Sequence, residues 1–128
     1  MSTHNLKLCC PPDAVFIASR LSGRAFVDVE QSGRRQLLPL CRDLADLSPS
    51  GFEWAPRHFG SRQLAVAMLS FVAGTELALS HYDDFATEFI PELALDGWRL
   101  PATAVLNWLR IVVGDDTGLD SKEGRTNG

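Results

Sequence analysis

Cysteine is scarce in this chain, and its three residues fall in no pairing pattern. Cys9, Cys10 and Cys41 are an odd number with no Cys-x-x-C spacing. That excludes a disulfide framework and a closed zinc site. Cys9 and Cys10 are adjacent, which is poor geometry for a mutual bridge, so the chain is expected in a reducing cytoplasm. Long apolar runs are also missing. The longest, Leu64 to Gly74, is about half the length that spans a bilayer, so no membrane association is expected. The start, Met1-Ser2-Thr3-His4-Asn5, lacks a charged region followed by an apolar one, so no signal peptide is expected. Phosphate-loop, dinucleotide, nucleophile-elbow and H-E-x-x-H zinc motifs do not occur. No acid, base and nucleophile stand together, so the expectation is a non-enzymatic protein with no cofactor and no metal.

What remains is an ordinary globular composition, 45% hydrophobic and 22% charged. At 128 residues it fits one domain. The net charge of -4 argues against broad nucleic-acid affinity, which needs clustered Lys and Arg. The charge is uneven. Residues 1–62 hold eight Lys/Arg and six Asp/Glu, a balance of +2, whereas residues 63–128 hold four and ten, a balance of -6. Such a molecule could offer a basic face and an acidic face to different partners, or simply two solvated faces.

Residues 1–13, with Pro11-Pro12, read as a flexible segment. Residues 14–113 read as a single α+β domain, and 114–128, polar and glycine-rich, as a disordered tail. Within the domain, Ala14–Ser19, Arg24–Glu30 and Gln36–Leu40 are short segments rich in β-formers, separated by turns at Ser22-Gly23 and Ser32-Gly33. Pro39 suits only an edge or a strand end. Ser61 is the expected N-cap of a first helix with a stripe of Leu64, Ala65, Met68, Leu69 and Val72. Gly74 should end that helix and Thr75 open a second, with Ala78, Tyr82, Phe85, Phe89 and Leu93 inward and Pro91 closing it. Trp98-Arg99-Leu100 reads as one more strand. Pro101 then opens a third helix with a stripe of Val105, Trp108, Leu109 and Val112, stopped by Gly114. The expected architecture is a small antiparallel sheet of two to four short strands packed against two or three helices.

Gly51-Phe52-Glu53-Trp54 stands just before the helical half. Phe52 and Trp54 are two apart in an extended stretch and so point to one side, toward Leu64, Met68 and the Phe85/Phe89 stripe. Glu53 should point to water or a local donor. Phe52, Trp54 and Trp98 are thus expected as structural anchors. The stretch Ser48-Pro49-Ser50-Gly51-Phe52-Glu53-Trp54, the Ala/Leu-rich helix after it, and Asp96-Gly97-Trp98-Arg99-Leu100 resemble a domain-of-unknown-function family of small prokaryotic and phage proteins. The resemblance runs from about Arg24 to Leu100. It implies a setting of phages, plasmids and integrated elements, and it transfers no catalytic residues. Where that family carries a glycine-rich run after Trp, this chain has Ala55-Pro56-Arg57-His58-Phe59-Gly60.

Several groups compete as sites. Glu53 with Arg57 and His58 could form an acid–base pair or bind an anion, or Glu53 could pair with an Arg and cap backbone amides. His81, Asp83 and Asp84 invite a metal reading, but their spacing on a helix does not converge, and a solvated face fits them better. Cys41 reads as a small apolar residue rather than a nucleophile. Two surfaces are left for a partner. Glu76, Asp83, Asp84 and Glu88 form an acidic helical face suited to a basic protein groove, in one version the groove of a host-defence complex blocked by an anti-CRISPR protein. Arg20, Arg24, Arg34 and Arg35 cluster near the β-turns and suit nucleic acid. A second copy of the chain is a further candidate partner.

Overall fold

The computed structural model describes residues 6–48, 51–55 and 58–114. The expected disordered tail beyond Gly114 lies outside the described residues, as do Pro49, Ser50, Pro56 and Arg57. The expected flexible segment 1–13 is described only from Leu6. There Leu6, Leu8 and Cys10 pack on the core, and the Cys9 amide donates to the Val72 carbonyl at 2.7 Å.

The fold is α+β. Strands β1 (Val15–Leu21), β2 (Arg24–Gln31), β3 (Arg34–Leu37) and β4 (Gly97–Pro101) form one antiparallel sheet in the order β3-β2-β1-β4. Helices α1 (Phe59–Ala73) and α2 (Thr75–Glu88) follow β3, and α3 (Ala102–Val113) follows β4. Both hairpins close through Ser-Gly. The φ values are 51° and 81° at Ser22 and Gly23, and 51° and 79° at Ser32 and Gly33. Left-handed values at both central positions make type I′ turns, whose twist matches that of the flanking strands.

The second turn sets the register Gln31↔Arg34, so β3 starts directly after it rather than at Gln36. It ends early because Pro39 has no amide to donate, and the last bond on that edge runs from the Leu38 amide to the Val27 carbonyl at 2.9 Å. Alternation puts Phe16 and Ala18 of β1 and Val27 and Val29 of β2 on the helix side, where all four are buried. Leu100 and Trp98 of β4 lie opposite Phe16 and Ala18.

Helix α1 is buried nearly all round, from Gln63 to Leu69, not along a single stripe. It is the central helix, packed against both α2 and α3, and Phe71 meets Phe16 of β1 edge-on at 5.6 Å. It also starts three residues earlier than its sequence suggests. His58, not Ser61, is the N-cap, with Nδ1 accepting from the Gly60 amide at 2.9 Å. Ser61 Oγ instead donates to the Ala55 carbonyl at 3.1 Å. Gly74, at φ 97°, joins α1 to α2, and a 3-10 turn at Ile90–Glu92 carries Pro91 past the end of α2. Pro101 is the last residue of β4 and the N-cap of α3, which Gly114 ends in the left-handed conformation. Stacked Phe85 and Phe89, with Trp108 edge-on to Phe85 at 5.0 Å, join α2 to α3.

Candidate functional site

The 51–55 segment is clamped from three sides. Gly60 at the start of α1 permits one contact, since a Cβ there would stand 2.6 Å from Glu53 Cβ and 2.7 Å from Glu53 N. Only glycine lets the segment lie directly on the helix. Trp54 is fully buried, edge-on to Trp98 at 5.5 Å, and its Nε1 donates to the Leu95 carbonyl at 2.9 Å. Gly97 makes room for that second contact, because a Cβ there would sit 2.7 Å from the Ala18 carbonyl oxygen. The third contact is Arg20. Counting alternately along β1, Arg20 falls on the same face as Phe16 and Ala18. Its guanidinium lies 4.6 Å from the Trp54 ring centroid, and its Nε donates to the Leu95 carbonyl at 2.7 Å. Nη1 donates to Glu53 Oε1 at 3.1 Å, and Nη2 to Oε2.

Both oxygens of Glu53 are therefore engaged. Besides Arg20, its Oε2 accepts from the amides of Trp54 at 2.8 Å and Ala55 at 3.0 Å. The Arg20 hydrogen bonds lead the causes that hold its pKa at about 2, against an ordinary 4.5. In turn Arg20 is pushed upward, chiefly by the same bond. A carboxylate that stays ionised to such low pH is no general acid near neutrality and a weak base. His58 spends Nδ1 on capping α1, so Glu53 and His58 form no acid–base pair, and Arg57 lies outside the described residues. Of the expected anchors, Trp54 and Trp98 join each other. Phe52 packs against the edge of the core. Half-buried, it also lines a hollow with Phe26 and Leu40.

Two of the thiols are held in the protonated form. Burial raises Cys10 to about 11, with Cys9 and Asp13 adding to it, and burial also raises Cys41, with Asp43 adding. Among the described residues no three His, Cys, Asp or Glu side chains come together as metal ligands. Asp83 is paired with Arg62 of α1 at 2.7 Å.

The acidic face is exposed as expected at Glu76, Asp83, Asp84 and Glu88. Its neighbourhood was not foreseen. Phe59 and Leu79 are 68% and 45% exposed. They flank a hollow of about 630 Å³ between the start of α1, α2 and the 46–47 loop, which also holds Tyr82 and the Arg62–Asp83 pair. The arginines split. Arg20 is bound to Glu53 and Arg35 to Asp28 at 2.8 Å, while Arg24 and Arg34 are exposed at the two hairpin ends.

Gln63 is a further residue whose role its sequence position did not reveal. Wholly buried on α1, its Oε1 accepts from the Leu47 and Ser48 amides and its Nε2 donates to the Leu40 and Ala45 carbonyls, at 2.6 to 3.1 Å. It shapes the whole 40–48 connection. A buried polar residue inside an apolar helical run is the signal that points to it. No helix among the described residues is long and apolar enough to cross a membrane.

Neither a curated protein nor a solved structure matches this chain. Residues 17–111 match the model of a family of unknown function, DUF6166, and the chain belongs to that family.

Proposed function

We propose that this is a small non-enzymatic interaction protein that binds another protein through the outer face of α2 and the adjoining start of α1. The observation that carries the reading is the exposure of Phe59 and Leu79 around a hollow lined by Asp46 and Asp83, on a helix whose Glu76, Asp84 and Glu88 are also exposed. Large apolar groups beside charge are what a protein interface needs at its centre and rim. Glu53, engaged by Arg20 and two backbone amides, and the raised Cys10 and Cys41 thiols support a binding role over a catalytic one for these groups. A partner presenting apolar side chains and basic groups fits this surface. A phage or mobile element is the setting we assign, and a host-defence complex whose nucleic-acid groove the acidic face occupies, as an anti-CRISPR protein would, is the narrower form. The -6 balance of residues 63–128 supports that form.

The test compares the parent with two variants in partner capture from the native host, with thermal melts alongside. One combines Phe59→Ala with Glu76→Lys, Asp84→Lys and Glu88→Lys, and the other reverses Arg24 and Arg34. Loss of a captured protein in the first variant alone, with the melt preserved, supports the proposal. Capture that survives the first variant and fails in the second, together with DNA or RNA retention by the parent, would transfer the function to the arginines near the β-turns.

A further inference from the structure

Strand β2 has eight residues, but β3 pairs with only the last four. The hairpin fixes which backbone groups face that edge. Gln31 pairs with Arg34, and Val27 accepts from Leu38, so every second residue from Gln31 back turns its amide and carbonyl outward. Ala25 is the next in that series. The position opposite it would fall to Leu40, but Pro39 has ended the ladder and Gln63 draws the Leu40 carbonyl away at 2.6 Å. Among the described residues no backbone partner meets Ala25 on this side. The result is a notch in the sheet edge, a hollow of about 340 Å³.

Its walls are Phe26, Phe52, Leu37 and Leu40, with Leu37 66% exposed. Its rim carries Arg24, whose guanidinium lies 5.9 Å from the Phe26 ring centroid, and Arg42, which is held by the Ser48 carbonyl at 3.2 Å and stands 3.7 Å from Asp46. Asp28, the next acid on the open face of β2, is engaged by Arg35. Among the described residues no carboxylate forms an ion pair with Arg24.

We infer that this notch docks a short extended segment of a partner protein that carries an apolar side chain and an aspartate or glutamate two residues apart. The backbone of the segment continues the sheet beside Ala25. Arg24 and Phe26 lie on one face two residues apart, so residues two apart on an added strand face them as a pair. The apolar group enters beside Phe26 and Phe52, and the carboxylate meets the Arg24 guanidinium. A peptide is favoured over a nucleic-acid strand because the open groups of Ala25 are those of a sheet edge, which a nucleotide backbone does not complete. The surface is separate from the α2 face, so either can hold without the other.

The probe is an acetylated, amidated hexapeptide containing Val-Thr-Glu, titrated while backbone-amide chemical shifts are followed. Shifts centred on Ala25 and Phe26 are expected, with binding roughly tenfold weaker for Arg24→Ala. Binding should fall away when the peptide's Glu is exchanged for Lys, or when its Thr amide is methylated. Arg24 is exposed, so that variant folds as the parent does. Four results would overturn the inference: an unmoved Ala25 amide at millimolar peptide, equal binding of the Lys peptide, a thymidine oligomer that moves the same amides more strongly, or self-association that moves them without peptide.

Discussion

Arg20–Glu53 and Arg62–Asp83 are both arginine–carboxylate pairs, and they do different things. The first joins a strand to a loop 33 positions later. Its carboxylate is 17% exposed and also takes two backbone amides, while its arginine lies over a buried indole. The second links two neighbouring helices, with its side chains 46% and 64% exposed. An enclosed pair with both carboxylate oxygens engaged fixes geometry, because removing either partner strands a desolvated charge. An exposed pair is screened by water and leaves both groups available to a partner. Glu53 and Trp54 are thus part of the internal frame, and the surface we propose for binding lies elsewhere.

The sharpest way to break this contrast is Trp54→Ala. It empties a fully buried site and removes the ring contact with Trp98, the bond to Leu95 and the platform under Arg20. We expect a loss of about 3–5 kcal/mol in denaturant melts. That is a large share of the roughly 5–15 kcal/mol that holds a typical domain. A variant as stable as the parent but unable to bind would make the indole a contact residue and dissolve the contrast.

Glu53→Gln comes next. Hydrogen bonds to a charged group contribute about 1.5–3 kcal/mol, and we expect a loss in that range at neutral pH. This exceeds what a water-facing glutamate would give. The pH dependence has a definite sign. The folded pKa is depressed, to about 2 from an ordinary 4.5. The contribution of Glu53 is therefore complete above pH 4.5 and is lost as pH falls toward 2. Melts of the parent and of Glu53→Gln should converge through that window. A gap that stays constant through it would mean that Glu53 acts by shape rather than charge.

Much of this frame was legible from the chain. Ser-Gly at both hairpins and the Gly74 junction fixed the turns, because each needs a conformation that few residues allow. The burial of Trp54 followed from its size and position. What escaped was long-range. Nothing in the local sequence says that Arg20 meets Glu53, although the parity of β1 puts it on the inner face once Phe16 and Ala18 are known to be buried. Likewise Ser61 looks the better cap, but the 51–55 segment lies on the helix start, so the first turn begins at Phe59 with His58 as cap. The acidic face was visible as charge alone. That Arg62 reaches Asp83, and that Phe59 and Leu79 open beside it, depends on how α1 and α2 are set against each other.

The smallest expected effect tests the outer half of the comparison. Asp83→Asn removes one charge from a pair that solvent already screens, so stability should change by about 0–1 kcal/mol, and less at high salt. The side chain keeps its size, and the hollow beside Phe59 keeps its shape. Arg62→Gln should behave alike, since neither position is buried. Their effects on partner capture should then oppose one another if the partner is basic: losing Asp83 weakens the attraction, and losing Arg62 frees Asp83 and strengthens it. Equal weakening by both would show that the partner reads the pair as a unit. A stability loss near that of Glu53→Gln would show that this pair, too, belongs to the frame.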